Sequence, residues 1–264
     1  MHLSESTWTD ADAVETDLAL LPVGSTEQHG PHAPLGTDAL TAEAVAAAGA
    51  DARDGEVVVA PAIPVGVAEE HRHFAGTLWV SEDTFRDYVR ETVASLAHHG
   101  WDRVVVVNGH GGNVGPLREV CARIARHDDA YAVPFTWFDA VSLDRDWTGD
   151  PDAPPVDLDE VRMGHGGPVE TALVRAVEPD LIRDECLDDA AAGAADGWGE
   201  WVAGTNLAYD SAEFSENGAV GDPREGSAEL GAWLRERAAA KLATLLDAVG
   251  DRSLDRPADR RTET

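Results

Sequence analysis

The sequence predicts an α/β fold, specifically a three-layer α/β/α sandwich with a mainly parallel central sheet. Three short apolar runs, residues 18–23, 57–65 and 103–108, show no alternation between polar and apolar positions, which is typical of strands buried on both faces. Amphipathic helical patterns separate these runs. Strands that alternate with helices favour a parallel sheet covered by helices on both faces.

Local signals define the helices. The segment 81–100 begins at Ser81, continues with acidic residues and stops at Gly100; serine is a favoured N-cap, and glycine commonly follows a helix. Because proline is favoured in the first turn, two more helices are predicted to open at Pro116 and Pro168. The remaining predicted elements are an alanine-rich helix over 38–52, a strand near 131–138 and a final amphipathic helix over 229–249.

The chain length favours one domain. A chain of 264 residues with 43% hydrophobic residues can bury a substantial core, so we expect a single domain over residues 1–250 and a frayed tail over 251–264. Residues 141–160 are acidic and rich in proline, and we expect a surface loop or lid there. Residues 186–228 are rich in glycine and alanine with poor periodicity, so no element is assigned to them.

Acidic residues dominate the charge. Asp and Glu number 50 against 20 Lys and Arg, the formal net charge is −30, and Lys241 is the single lysine. Such self-repulsion destabilises a compact chain unless salt screens it, and the Debye length falls to about 3 Å at 1 M salt. We therefore expect a cytosolic protein of a salt-accumulating organism. The alternative, a disordered acidic protein, is disfavoured by the apolar content and the regular periodicity.

Composition also excludes several partners. The net charge of −30 argues against nucleic acid and anionic membranes. Cys121 and Cys186 are too few for a disulfide framework and wrongly spaced for a zinc ribbon, so both are expected to be reduced thiols. Residues 1–17 lack the order of a signal peptide, and no apolar run approaches about 18 residues, so no segment is expected to span a membrane.

Histidines and carboxylates follow the predicted strands. Glu27 and His29 come after the first strand, His71 lies beyond the second, and His110 follows the third. Loops at the carboxyl ends of parallel strands meet at one edge of the sheet, where ligands bind. We therefore expect these side chains to converge on one site.

Imidazole and carboxylate groups together suit zinc, manganese or iron(II). Asp38 can bridge two ions because it has two oxygens. Two ions about 3.5–4 Å apart can activate water and polarise a carbonyl, so the sequence predicts a two-metal hydrolytic centre. The alternative, that the polar residues within 27–38 only form turns and caps, is disfavoured because histidines recur at two other strand ends.

Four sequence motifs carry these residues. They are GSTEQHGPHAPLGTD (24–38), EEHRHFAGTLWVS (69–81), VNGHGGN (107–113) and GHGGPVET (164–171). In order and approximate spacing they resemble the creatininase family of metal-dependent amidohydrolases, and the resemblance runs from about residue 18 to residue 180. It implies a three-layer α/β/α fold, two divalent metal ions, a small-molecule substrate, a homo-oligomer and hydrolysis of a non-peptide or unusual amide C–N bond.

The resemblance also implies a ligand set. The implied ligands are Glu27, Asp38 and His110 for one metal, and His29 and the bridging Asp38 for the other. Creatinine-hydrolysing members supply a further glutamate two residues after the histidine of the NGH motif, where this chain has Gly112. Glu170, in the first turn of the helix that opens at Pro168, is the best replacement.

Two departures from the family pattern argue against creatinine as the substrate. Gly112 argues against creatinine, as does the lack of the tryptophan that creatinine-hydrolysing members carry shortly before the histidine matched by His165. The sequence is more similar to the archaeal branch that removes the formyl group from a formylamino-pyrimidine ribosyl phosphate, a step toward flavin and deazaflavin coenzymes. The alternatives are creatinine hydrolysis, peptide trimming in the maturation of a redox cofactor, and a small-molecule binding module with a structural metal.

Other motif residues receive further roles. His165 and Glu170 are the predicted catalytic residues; His165 resembles the family's proton-shuttling histidine, and imidazole suits that task near neutral pH. Arg72 and Arg162 are candidates for bidentate contact with a substrate phosphate. The remaining candidates, which would contact the substrate or support the ligands, are His32, His71, Asn108 and Asn113.

Overall fold

The computed structural model describes residues 1–142 and 163–254. Its strands are β1 (Leu18–Val23), β2 (Val58–Val59), β3 (Arg103–Asn108), β4 (Tyr131–Thr136), β5 (Trp201–Val202) and β6 (Thr205–Asn206). Its α-helices are α1 (Trp8–Ala13), α2 (Thr37–Asp51), α3 (Glu82–His98), α4 (Val114–His127), α5 (Trp137–Ser142), α6 (Pro168–Val177), α7 (Leu187–Gly193) and α8 (Ala228–Gly250). Four strands form a parallel sheet in the order β2-β1-β3-β4, and β5 and β6 form an antiparallel hairpin.

This architecture confirms the predicted α/β fold with a mainly parallel sheet. One predicted strand, residues 57–65, is wrong in extent, because only β2 pairs with β1 and Ile63 adds an isolated bridge to Val23. Pro61 and Pro64 interrupt the run, and proline cannot donate to a ladder of hydrogen bonds. The helix α4 begins at Val114, slightly before the residue predicted to open it.

Strands β1, β3 and β4 end level with one another at the carboxyl edge of the sheet. Val23 of β1 pairs with Asn108 of β3, and Asn108 pairs in turn with Thr136 of β4. The loops after β1 and β3 therefore leave the sheet side by side. This register explains how polar residues far apart in sequence reach one place.

The core lies on both faces of the sheet. Strand β1 is buried along its full length, which accounts for its lack of polar alternation. Leu18 and Leu20 pack against apolar residues of α2, α6 and α8, whereas Ala19, Leu21 and Val23 pack against α3 and α4 on the opposite face. The result is the predicted arrangement of three layers.

The segment 186–228, to which the sequence assigned no element, contains α7 and the β5-β6 hairpin. It returns to the core through Val220, which pairs with His165. The His165 N–H donates to the Val220 carbonyl at 3.0 Å, and the Val220 N–H donates to the His165 carbonyl at 2.8 Å. The segment thereby holds the backbone of one predicted catalytic residue.

Two sequence predictions concern residues outside the described ranges. The predicted loop or lid over 141–160 lies outside them from residue 143 onward, and the predicted tail lies outside them from residue 255 onward. Within residues 1–142 and 163–254, no helix combines the length and the apolar character needed to cross a membrane.

Close packing of α8 on α6 makes Gly231 a sensitive position. A Cβ atom there would collide with the carbonyl oxygen of Ala172. We expect Gly231→Ala to lower the free energy of unfolding by about 1–3 kcal/mol, because overpacking forces the two helices apart. Gly250→Ala in the same helix is the matched control, since its Cβ would make only ordinary contacts. Urea titration measures both variants, and equal stability of the two would contradict this prediction.

Candidate metal centre

Five buried side chains with metal-ligating atoms converge at the carboxyl edge of the sheet. Two lie in the loop after β1, one in the first turn of α2, one directly after β3 and one in the first turn of α6. These residues are Glu27, His29, Asp38, His110 and Glu170, and none is more than 4% exposed. The structure thus brings together all five residues that the sequence nominated as ligands.

The first group of candidate ligands consists of Glu27, Asp38 and His110, with His110 between the two carboxylates. The Nδ1 atom of His110 lies 3.1 Å from Oε1 of Glu27 and 3.2 Å from Oδ2 of Asp38. One ligand atom from each of the three residues lies within 4.8 Å of the others. This spacing is compatible with one cation between them.

The second group of candidate ligands consists of His29, Asp38 and Glu170, with His29 between the two carboxylates. The Nε2 atom of His29 lies 3.0 Å from Oδ1 of Asp38 and 3.8 Å from Oε2 of Glu170. Asp38 therefore directs one oxygen toward each histidine, as a bridging carboxylate does. Glu170 is held in place by the Gly166 N–H, which donates to its Oε2 at 2.6 Å.

Backbone carbonyls orient both of these histidines. The Nδ1 atom of His29 lies 3.1 Å from the carbonyl oxygen of Glu27, and Nε2 of His110 lies 2.6 Å from that of Val67. A carbonyl oxygen can only accept, so each contacting nitrogen donates its N–H. The other ring nitrogen then faces the carboxylates, which is the usual arrangement of a metal-binding histidine.

Three carboxylate oxygens of the ligand cluster lack a hydrogen-bond partner in the part of the protein that the structure describes. Both side-chain oxygens of Glu27 and Oδ2 of Asp38 are buried without a hydrogen bond of good geometry among the described residues. Burial raises the pKa of Glu27, an effect that His110 only partly offsets. Buried carboxylates are costly unless they are paired or coordinate a metal, so these residues fit divalent cations and could hold them.

His165 offers alternative groupings of ligands. It lies within 4.8 Å of His29 and Glu170 in one group and of Glu27 and His71 in another. Its Nε2 donates to the carbonyl oxygen of Gln28 at 2.5 Å, and its Nδ1 lies 3.7 Å from Oε1 of Glu27. The His165 ring also stacks on His71 with 4.2 Å between ring centroids. His165 is therefore placed at the ligand cluster and presents an unprotonated Nδ1 to it.

Without metal, two of the candidate ligands, His29 and Glu170, are protonated at neutral pH. Burial alone would lower the pKa of His29, but the carboxylates of Asp38 and Glu170 outweigh it and raise that pKa to about 10. Burial raises the pKa of Glu170 to about 8. Both values lie above 7, so both groups are protonated at neutral pH without a cation, whereas metal ligands must be deprotonated.

Metal binding at pH 7 is therefore expected to release protons, and the affinity is expected to rise with pH. Calorimetric titration of Mn²⁺ into metal-free protein, in buffers with different ionisation enthalpies, measures the number of protons released. Glu170→Gln is expected to release fewer, because the amide has no proton to lose. A binding enthalpy that does not depend on the buffer would contradict the prediction.

Two asparagines support the loop that carries His110. Asn108 accepts from the His110 N–H at 3.1 Å and donates to the His110 carbonyl at 2.8 Å. Asn113 accepts from the Val67 N–H at 3.0 Å and donates to the Gly24 carbonyl at 3.1 Å. The loops after β1, β2 and β3 are thus connected through side-chain amides.

Three further candidates from the sequence, His32, Arg72 and Arg162, lie outside the ligand cluster or outside the described residues. His32 is fully buried, and its Nε2 lies 2.9 Å from the Thr171 hydroxyl, which connects the loop after β1 to α6. Arg72 is 41% exposed and donates to Asp210 at 2.8 Å, so it is not brought to the ligand cluster. Arg162 lies outside the described residues.

A cavity of about 440 Å³ opens onto the ligand cluster. His110, His165 and Glu170 line its polar side, and Phe138, Met163 and Trp198 contribute apolar surface. The Trp198 ring centroid lies 6.0 Å from that of His165. The cavity can therefore hold an organic substrate with an apolar part next to the predicted catalytic residues.

Sequence reasoning missed several residues of this site, among them Gln28, Phe138 and Trp198. Gln28 lies between two predicted ligands in the same motif, so its position was a usable signal. Phe138 ended a predicted strand but lies in the first turn of α5 in the structure, and Trp198 lies in the segment without assigned elements. Neither aromatic residue carried a local pattern that indicates a cavity wall.

Comparisons with known proteins identify the family of this chain. A family model described as Creatininase: Creatinine amidohydrolase matches residues 4–246. Mycofactocin precursor peptide peptidase from Mycolicibacterium smegmatis is 35% identical over 223 residues, which cover 81% of this chain and 78% of that protein. Creatinine amidohydrolase from Pseudomonas putida is 31% identical over 202 residues, which cover 69% of this chain and 74% of that protein.

Solved structures extend the likeness to three dimensions. A structure described as creatininase Mn matches with a TM-score of 0.76 and 25% identity, over 95% of this chain and 99% of that one. A creatininase variant of the Zn-Zn type has the same TM-score and identity, over 95% of this chain and 98% of its own. The family model spans most of the sequence, including every candidate ligand described above. The chain belongs to the creatininase family.

Proposed function

We propose that this protein is a metal-dependent hydrolase that cleaves an amide C–N bond of a peptide substrate. The observation that carries the proposal is the convergence of five buried ligand residues on one side of a partly apolar cavity. Glu27, Asp38 and His110 would hold one divalent cation, and His29, Asp38 and Glu170 the other. Zinc, manganese and iron(II) all suit this donor set.

The side chains around the cations have separate tasks. Bound cations would polarise the scissile carbonyl and lower the pKa of water. His165 is neutral, because burial together with the imidazoles of His29 and His71 lowers its pKa well below the usual value. Its Nε2–H donates to the backbone carbonyl of Gln28, so its Nδ1 can take a proton from the attacking water and pass it to the departing nitrogen.

The described part of the cavity lining favours a peptide over a phosphorylated substrate. Trp198 and Phe138 contribute aromatic surface, and no arginine or lysine lines the cavity among the described residues. Arg72 is already paired with Asp210, so binding a phosphate through it would cost that ion pair. The 35% identity to a precursor peptide peptidase supports the same choice. The formylamino-pyrimidine deformylase predicted from the sequence is therefore the second candidate.

Trp198 is expected to contribute to substrate binding more than to the chemical step. It is 41% exposed and reaches the cavity from the turn before β5. We expect Trp198→Ala to raise KM for a peptide with an apolar residue next to the scissile bond by about 10-fold, with a smaller change in kcat, because uniform binding is lost. Trp8→Ala, at the 79% exposed tryptophan that begins α1, is the control. Unchanged KM for the Trp198 variant would contradict the prediction.

One comparative assay tests the proposed function. The protein is offered an unmodified peptide series, the formylamino-pyrimidine nucleotide and creatinine in molar potassium chloride, with Mn²⁺, Zn²⁺ or Fe²⁺ in turn. We expect cleavage of peptides alone. Formate release from the nucleotide alone would establish the deformylase instead, turnover of creatinine alone would establish that activity, and no turnover with any metal would favour a binding module.

The cellular setting remains part of the proposal. We infer a cytosolic protein of a salt-accumulating organism from the net charge of −30, and a homo-oligomer from the family resemblance. Across a range of potassium chloride concentrations, thermal unfolding followed by circular dichroism measures stability and light scattering measures assembly. A monomer that is equally stable at low and high salt would contradict both inferences.

A further inference from the structure

Gln28 is a buried side chain whose amide has a fixed orientation. It is 5% exposed and lies between two ligand residues in the loop after β1. Its Oε1 accepts from the Gly30 N–H at 2.9 Å, and its Nε2 donates to the Gly218 carbonyl at 3.0 Å. Because one partner can only donate and the other can only accept, the oxygen and nitrogen of the amide are distinguished.

The same amide nitrogen contacts His71. Nε2 of Gln28 lies 2.8 Å from Nδ1 of His71. An amide nitrogen can only donate, so Nδ1 of His71 carries no proton. The Ser211 hydroxyl lies 2.9 Å from the same Nδ1 and 3.1 Å from the Glu70 carbonyl, and it can donate to either. The single ring proton of His71 is therefore on Nε2.

This tautomer distinguishes His71 from the other histidines of the centre. In His29, His110 and His165, the ring nitrogen that points away from the ligand cluster donates to a backbone carbonyl. The inner nitrogen, which faces the cluster, is therefore the one that presents a lone pair when the ring is neutral, as it must be to bind a metal. The inner nitrogen of His71 presents an N–H instead. It lies 3.5 Å from Oε1 of Glu27, which is close enough for the N–H dipole to favour the carboxylate although no hydrogen bond of good geometry forms.

We propose that Gln28 is a positioning residue that keeps His71 in the Nε2–H tautomer, so that His71 supports Glu27 and does not bind a cation. The inference rests on the proposed metal centre. Without the amide donor, Glu27, His71 and His165 would form a third group of ligands, since their ligand atoms lie within 4.8 Å of one another. Gln28 therefore limits the number and position of the cations.

The structure holds Gln28 in place from a distant loop. Gly218 has φ +86°, and a Cβ atom there would collide with the Gln28 amide. Only glycine combines this backbone conformation with this close approach. The contact between Gln28 and Gly218 joins the loop after β1 to the segment that also carries Ser211 and Val220.

The tautomer of His71 can be determined directly by NMR. Nitrogen NMR of ¹⁵N-histidine-labelled protein, with and without Zn²⁺, distinguishes protonated from unprotonated ring nitrogens, and loss of one signal set in His71→Gln assigns them. We expect a protonated Nε2 and an unprotonated Nδ1 in both states. A protonated Nδ1, or an Nε2 that shifts on binding Zn²⁺ as a ligand would, overturns the proposal.

Substitution of the amide tests the role of Gln28 itself. In Gln28→Glu the carboxylate accepts, so the proton of His71 is expected to move to Nδ1 and the zinc content per chain to rise above that of the wild type. The activity is expected to fall about 10–100-fold, as for other residues that orient ligands. Ser211→Ala is the control and is expected to keep the wild-type tautomer. The proposal fails if Ser211→Ala moves the proton and Gln28→Glu does not.

The NMR and zinc measurements do not depend on the identity of the substrate. A protein that hydrolyses none of the offered amides but shows the expected tautomer would refute the proposed function and leave the role of Gln28 intact. If Gln28→Glu does not fold, the wild-type spectra still decide the tautomer.

Discussion

Asp38→Asn is expected to lower kcat/KM by at least about 100-fold and to reduce the metal content of the purified protein. Asp38 directs Oδ1 toward His29 at 3.0 Å and Oδ2 toward His110 at 3.2 Å. Asparagine replaces one of these oxygens by an amide nitrogen, which cannot ligate a cation, and it removes a negative charge. Loss of residues that merely orient ligands costs about 10–100-fold, so loss of a bridging ligand should cost at least as much.

Metal analysis by mass spectrometry and steady-state kinetics with the best substrate test this expectation. Asp51→Asn is the matched control, because Asp51 is an exposed aspartate at the other end of the same helix, α2. It should retain both metal and activity. An Asp38→Asn protein with wild-type metal content and activity would remove Asp38 from the centre.

His165→Ala is expected to lower kcat by about 10²–10⁴-fold while the metal content stays unchanged. Proton transfer by a positioned side chain contributes about that much to a hydrolytic reaction. The buried ring is held by the Gln28 carbonyl and presents its Nδ1 to Glu27, so its loss removes a proton acceptor from the ligand cluster.

The metal content decides between two roles of His165. His127→Ala, at the exposed end of α4, is the control and should match the wild type. Parallel loss of metal and activity in His165→Ala would show that His165 is a ligand, as in the two alternative groups that contain it.

Much of the fold followed from local patterns. The buried strands β1 and β3 and the capped helix α3 lie where the sequence placed them, because full burial and capping leave signals within a few residues. The second predicted strand failed at Pro61 and Pro64, where the apolar run remained but the backbone donors were missing. The 186–228 segment had no periodicity to interpret, since its structure depends on contacts with distant loops.

By itself, the sequence determined which residue types stand at the ends of the strands, and therefore which side chains can meet. Only the tertiary structure decided how they meet. The ring nitrogens that face the centre depend on carbonyls and amides from other loops, such as Val67 for His110 and Gln28 for His165. Gln28 and Gly218 are 190 residues apart, and such a contact exists only after the whole chain has packed.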